Sequence, residues 1–127
     1  AARGLGIGWG VPVSGYSSVA LIAAMAVADH DADQIAAVLE GGHGEVFVAP
    51  FDALQPAGPL ASLTPEAALT AIGERQVFGT GVKWVGRGTE LFPDARAAAL
   101  LPADLRTLPP APIYGRAPDA KPLAARA

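Results

Sequence analysis

The longest apolar stretch, SSVALIAAMAVADH from Ser17 to His30, carries alanine, methionine or an aliphatic residue at every position from Val19 to Ala28. Without a polar stripe it predicts a helix buried around most of its circumference, capped at its start by Ser17 or Ser18 and ended near His30 by the acidic DHDAD. The period then changes. QIAAVLEGGHGEVFVAPFD predicts two strands around a glycine-containing turn at Gly41 to Gly44. Val46 and Val48 fall on one face of the second strand, and Phe47, Ala49 and Phe51 on the other, so both faces of this hairpin should be covered. Upstream, VPVSG at Val11 to Gly15 predicts a short buried strand. Downstream, LQPAGPLASL has the proline and glycine density of a loop. TPEAALTAIGE then holds the clearest helix start in the chain, with Thr64 as cap, Pro65 at the first helical position and Glu66 in the first turn. Gln76 to Phe78 predicts a strand stopped by GTG and followed by a turn or short helix; prolines recur from Pro93, with a small helix near Pro102 to Arg106. Alternation of strands and helices places the chain among α/β folds, as one domain over residues 1–127 with an extended tail at 117–127.

Composition narrows the kind of core. Hydrophobic residues make up 51% of the 127, but alanine dominates them and only 6% of the chain is aromatic, so small side chains and close backbone packing must build the interior. The net charge is −3 and the lysines and arginines are scattered, which argues against an electrostatic grip on nucleic acid by this chain alone. The absence of cysteine excludes disulfides, a thiolate zinc site and a thiol nucleophile, and fits a cytoplasmic protein. The apolar run at 17–28 is too short to span a bilayer and lacks the basic lead of a signal peptide. Ala1 is not expected to be a translation start, since the single methionine, Met25, is internal.

Several patterns invite a chemical reading. GLGIGWG puts glycine at positions 4, 6, 8 and 10, but a dinucleotide fingerprint needs its third glycine where Trp9 or Val11 stands. Neither Lys83 nor Lys121 follows a glycine as a Walker lysine must. Asp29, Asp31, Asp33 and Glu40 occupy positions 1, 3, 5 and 12 of a calcium loop, yet position 6, which should be glycine, is Gln34, and a strand follows where a helix should. The bland reading, a solvated acidic turn, is favoured. His30 and His43 lack the spaced ligands that zinc or a catalytic triad requires; His43 is expected at an exposed hairpin tip and His30 at a helix carboxyl end, where its imidazole suits the dipole. Glu40 and Glu45 would form an acid–base pair only if the strands brought them together. Gly79 to Gly81 follows a strand and its amides could face an anion near Lys83, though a turn that demands glycine is the preferred account. Trp9 and Trp84 read as core or interface anchors rather than platforms for bases. No catalytic, cofactor or metal residue is therefore assigned.

In order, these segments resemble the C-terminal half of the TsaB family, bacterial proteins of tRNA threonylcarbamoyladenosine biosynthesis with a glycoprotease-like label. RGLGIGWGVPVSGYSS is similar to the family's K-G-L-A-L-A-L-G-I-P-V-V-G-V-S-S, AAVLEGGHGEVFVAPFD to A-V-I-D-A-R-R-G-E-V-Y-V-A-L-F-D, VFGTG to V-L-V-G-D-G, and the closing APIYGRAPDAK to P-x-Y-L-R-x-P-D-A-K. The chain departs at EGGHG, where the family has D-A-R-R-G. The resemblance implies the second subdomain of an actin/Hsp70/sugar-kinase-like (ASKHA) fold, a mixed sheet with flanking helices, in which residues 1–10 end an interdomain helix. It also implies a non-catalytic subunit without a cofactor, acting in the cytoplasm by binding a TsaD-like catalytic homologue alongside a TsaE-like ATPase, and meeting tRNA only through that complex. Leu5, Ile7 and Trp9 are the partner-binding residues it implies. The alternatives are a glycoprotease-like peptidase or other hydrolase, and an ATP-binding sugar-kinase domain resting on GTG alone.

If the helix end at residues 1–10 has lost a preceding subdomain, its apolar side chains should instead seat a second copy of this chain. Light scattering is expected to show a dimer that the double substitution Leu5→Asp, Trp9→Asp dissociates. A monomer in both proteins would refute the self-association.

Overall fold

The computed structural model describes residues 16–108. The strand expected at Val11 to Gly15, the helix end bearing Leu5, Ile7 and Trp9, and the tail at 117–127 lie outside the described residues.

Helix α1, Ser18–His30, begins where the sequence places it: the Ser17 hydroxyl accepts from the Ala20 N–H, and Asp31 closes the helix in a left-handed conformation. Val19 to Ala24 are all buried, because alanine on every side lets neighbouring elements approach closely. Strands β1, Gln34–Gly42, and β2, Glu45–Asp52, form the expected antiparallel hairpin, pairing Ala37 with Ala49 and Val38 with Val48. The turn is tighter than glycine content suggested. It is the pair His43–Gly44, with φ of 54° and 76°, and both-positive φ is what a two-residue hairpin loop matching the strand twist requires.

LQPAGPLASL is not merely a loop. Two short strands, β3 at Gln55–Pro56 and β4 at Ala61–Leu63, both pair with β2 in antiparallel register. Proline is tolerated in β3 because that strand lies at the sheet edge and need not donate on its outer side. Helix α2, Pro65–Ile72, starts with the Thr64 hydroxyl accepting from the Ala67 N–H. Strand β5, Gln76–Gly79, runs parallel to β1, pairing Ala36 with Val77 and Ala37 with Phe78. The short helix α3, Val82–Val85, follows the GTG turn, and strand β6, Thr89–Glu90, which the sequence reading missed, joins β5 in parallel. A 3-10 helix at Ala95–Leu100, also unforeseen, precedes α4 at Ala103–Arg106. Asp94 caps the 3-10 helix through the Arg96 N–H and pairs with the Arg96 guanidinium at 2.7 Å, hydrogen bonds that hold its carboxyl below the usual carboxylate range.

These elements make three layers. The six-stranded mixed sheet has the order β3-β2-β1-β5-β6, with β4 beside β2. On one face α1 and the 3-10 helix cover Ile35, Ala37, Ala49, Phe51 and Phe78; on the other, α2 and α3 cover Ala36, Val38, Val46, Val48 and Val77. The alternation read for β2 therefore holds on both sides, with Val46 and Val48 facing one layer and Ala49 and Phe51 the other. Among the described residues no helix is long and apolar enough to cross a membrane.

A close backbone approach in the sheet lies at the last residue of β5. Gly79 has φ of 138°, and a Cβ there would stand 2.0 Å from the carbonyl oxygen of Val38. Neither the backbone conformation nor the space admits a side chain. Gly79→Ala is expected to cost about 3 kcal/mol or more, from strain plus overpacking, as measured by urea denaturation; a loss below about 0.5 kcal/mol, the ordinary range of surface substitutions, would show that β5 and β1 can separate freely.

Candidate functional site

In an open α/β sheet, ligands and partners meet the chain most often beyond the carboxyl ends of parallel strands. Of the parallel strands β1, β5 and β6, the first two bring Glu40, near the end of β1, close to the turn after Gly79. The GTG turn is consumed by the sheet itself. The Gly81 N–H donates to the Val38 carbonyl at 2.9 Å, and the Glu40 N–H donates to the Thr80 hydroxyl at 3.0 Å. The turn so extends the β5–β1 pairing beyond Phe78, and the Gly81 amide that an anion would need already has an acceptor. The demand for glycine is steric, as the plainer reading of GTG held.

Helix α3 starts directly from this turn. Val82 and Val85 are buried against the sheet, which turns Lys83 and Trp84 outward. The Trp84 indole N–H donates to the Glu40 carboxylate at 3.1 Å, Lys83 Nζ stands 3.5 Å from the same oxygen, and the ammonium lies 5.9 Å from the centre of the Trp84 ring. Trp84 remains 47% exposed, so it is not core. The carboxylate fixes the ring's orientation while leaving much of it open. Each contact alone is weak at this exposure, but together they hold an aromatic ring and two charges in one preset arrangement.

Other sequence-proposed groups are kept apart. Glu40 follows the alternation of Ala36 and Val38 toward α2 and α3, whereas Glu45 lies on the opposite face and accepts from the Ser62 hydroxyl at 2.5 Å. They do not form an acid–base pair. Asp29 is in α1, Asp31 caps it and Asp33 precedes β1, while Glu40 lies seven residues beyond Asp33, about 23 Å along an extended strand. That separation breaks the calcium loop. His30, the last residue of α1, packs its ring 5.2 Å from that of Phe78, and His43 is at the hairpin tip, so the two imidazoles flank β1 at opposite ends. Among the described residues no three metal-ligating side chains gather in one place.

The Glu40–Lys83–Trp84 cluster was missed as a unit. The 44-residue gap between Glu40 and Trp84 hides their meeting from any local pattern. A second feature without a local sequence pattern is a cleft at the opposite, amino ends of β5 and β6, lined in part by Arg75, Gln76, Arg87 and Thr89. The only signal for it was the pair of glycine-flanked segments GER and GRG at residues 73–75 and 86–88.

No protein-family model matches the chain, and no curated protein matches it. Solved structures do. YeaZ from Pseudomonas aeruginosa superposes with a TM-score of 0.66 at 24% identity, over 76% of this chain and 53% of that one. An uncharacterized protein with similarity to peptidase YeaZ from Pseudomonas aeruginosa superposes with a TM-score of 0.71 at 24% identity, over 90% of this chain and 63% of its own. The chain thus spans less than two-thirds of the length of either structure. The likeness shows the fold, a mixed α/β architecture of the actin-like kind with a mixed sheet and flanking helices.

Removing the acceptor that orients Trp84 should loosen the ring without unfolding the sheet. Glu40→Ala in a Trp9→Phe background is expected to lower stability by about 0.5–1.5 kcal/mol and to raise the quenching of Trp84 fluorescence by iodide. Unchanged quenching would mean that the hydrogen bond does not hold the indole.

Proposed function

We propose that this chain is a non-catalytic scaffold subunit of the machinery that places threonylcarbamoyl on the adenosine beside the anticodon of tRNAs. It acts by binding a TsaD-like catalytic homologue, with a TsaE-like ATPase in the same assembly, and reaches tRNA through that complex. The observation that carries the reading is the fold shared with YeaZ, a TsaB-family protein, together with the segments by which the sequence resembles that family. In this reading the catalytic groups belong to the homologue, and Glu40, Glu45 and the GTG turn serve the surface and the sheet of this chain. A preset, half-exposed tryptophan beside a charge pair is the kind of feature that protein interfaces use as an anchor. The family resemblance adds Leu5, Ile7 and Trp9 to the proposed partner-binding residues.

The second reading is a peptidase, favoured by the description of one structural neighbour as similar to a peptidase. It asks for a nucleophile or metal site that would have to be assembled from widely separated groups.

Reconstitution of tRNA threonylcarbamoylation from the catalytic homologue, the ATPase and this protein decides between them. Incorporation of labelled threonine into tRNA is expected to depend on the protein, and the protein alone should leave casein intact. Undiminished incorporation in its absence would refute the scaffold role. Casein hydrolysis abolished by His30→Ala or His43→Ala would establish the peptidase instead.

A further inference from the structure

The cleft at the amino ends of β5 and β6 has a volume of about 460 Å³ and is lined by residues Gly73 to Phe78 and Arg87 to Thr89. Its two guanidinium groups are fixed in place by main-chain acceptors. Arg75 Nη1 donates to the Phe51 carbonyl at 2.7 Å and to Asp52 at 2.9 Å. Arg87 Nη2 donates to the carbonyls of Gly73 at 2.8 Å and Arg75 at 2.7 Å, which spans the gap between the end of α2 and the start of β5. In each case a single nitrogen makes every bond, so Nε and the second terminal nitrogen of both arginines have no acceptor among the described residues.

Those remaining donors open to solvent. The Arg75 side chain is only 23% exposed, yet no buried side-chain nitrogen or oxygen among the described residues lacks a partner, so its unused N–H groups reach the surface, and Arg75 lines the cleft. Asp52 neutralises Arg75, whereas Arg87 has no carboxylate within ion-pair distance among the described residues. Gln76 and Thr89 line the same cleft, and both are exposed. Glu74 is the one acidic group in the lining, and it is exposed.

We propose that this cleft binds a phosphate monoester. Two guanidinium groups already immobilised by the backbone lose little freedom on meeting a ligand, which is what makes an arginine pair effective at low cost. Arg75 and Arg87 come from two separate segments, and their unused N–H groups, several in number, suit the three terminal oxygens of a monoester better than the two of a carboxylate or a phosphodiester. Charge sets the same order: the uncompensated cation of Arg87 attracts a dianion more strongly than a monoanion, and Glu74 lowers the affinity without occupying the donors. The site is separate from the Glu40–Lys83–Trp84 cluster, which lies beyond the carboxyl ends of β1 and β5, and it does not depend on the scaffold role.

Titration of the isotopically labelled protein with methyl phosphate at constant ionic strength, followed by amide chemical shifts, tests the assignment. Saturable shifts confined to residues 73–78 and 87–89 are expected, with weaker binding of dimethyl phosphate and acetate. Arg87→Gln should weaken binding about tenfold, as loss of a charged hydrogen bond does, and Thr89→Val, which leaves the Gly73 and Arg75 carbonyls their arginine, should weaken it about threefold. Glu74→Gln should strengthen it. Linear, unsaturated shifts, equal affinity for acetate or dimethyl phosphate, or full binding by Arg87→Gln with an unchanged circular dichroism spectrum would each overturn the proposal.

Discussion

The main chain of β1 at Val38 is the contact on which the rest of the structure is assembled. Its side chain is fully buried, its register partner is Val48 across the hairpin, and its carbonyl oxygen receives the Gly81 N–H from the far side. The same carbonyl faces the bare α-carbon of Gly79 at a distance that leaves no room for a methyl group. One peptide group is thereby held from both edges of the strand, by an antiparallel neighbour and by a parallel strand with its turn. Moving β5 away would release α3, which follows directly from that turn, and β6, which pairs with β5.

Alanine makes the two-sided burial work. Ala36 and Ala37 lie on opposite faces of β1, each nearly inaccessible, and Ala20, Ala23, Ala24 and Ala26 let α1 settle against one face. Larger residues fill what remains: Ile22, Ile35 and Phe51 on the α1 side, Ile72, Val46 and Val48 on the other. Such an interior gains less from each side chain than an aromatic core would, and it relies on close approach of backbones for its dispersion contacts. That is why glycine positions rather than bulky residues set its tolerances.

Polar function is pushed to the strand ends. At the carboxyl ends, Glu40 collects the Trp84 indole and the Lys83 ammonium into one fixed surface feature. At the amino ends, Arg75 and Arg87 use backbone carbonyls to bridge α2, β2 and β5. The two features are about 17 Å apart along β1, from Ile35 beside Gln76 to Glu40, so occupation of one leaves the other sterically open.

Local chemistry made much of the fold legible. The limits of α1, the caps at Ser17 and Thr64, the hairpin and the two-faced character of β2 all follow from contacts within a few residues or from strict alternation, and the structure places them there. The order of family-like segments likewise pointed to the actin-like α/β architecture that the solved structures share. What stayed hidden depends on distant partners. β3, β4 and β6 are two or three residues long and exist because β2 or β5 offers them a free edge, which no propensity within LQPA, PLASL or TEL announces. The meeting of Glu40 with Trp84, and of Arg87 with the carbonyls at Gly73 and Arg75, is decided by how the α2–α3 layer lies on the sheet. A sequence specifies its local hydrogen bonds by spacing along the chain; which side chains share a surface is fixed only when the sheet has brought separate segments together.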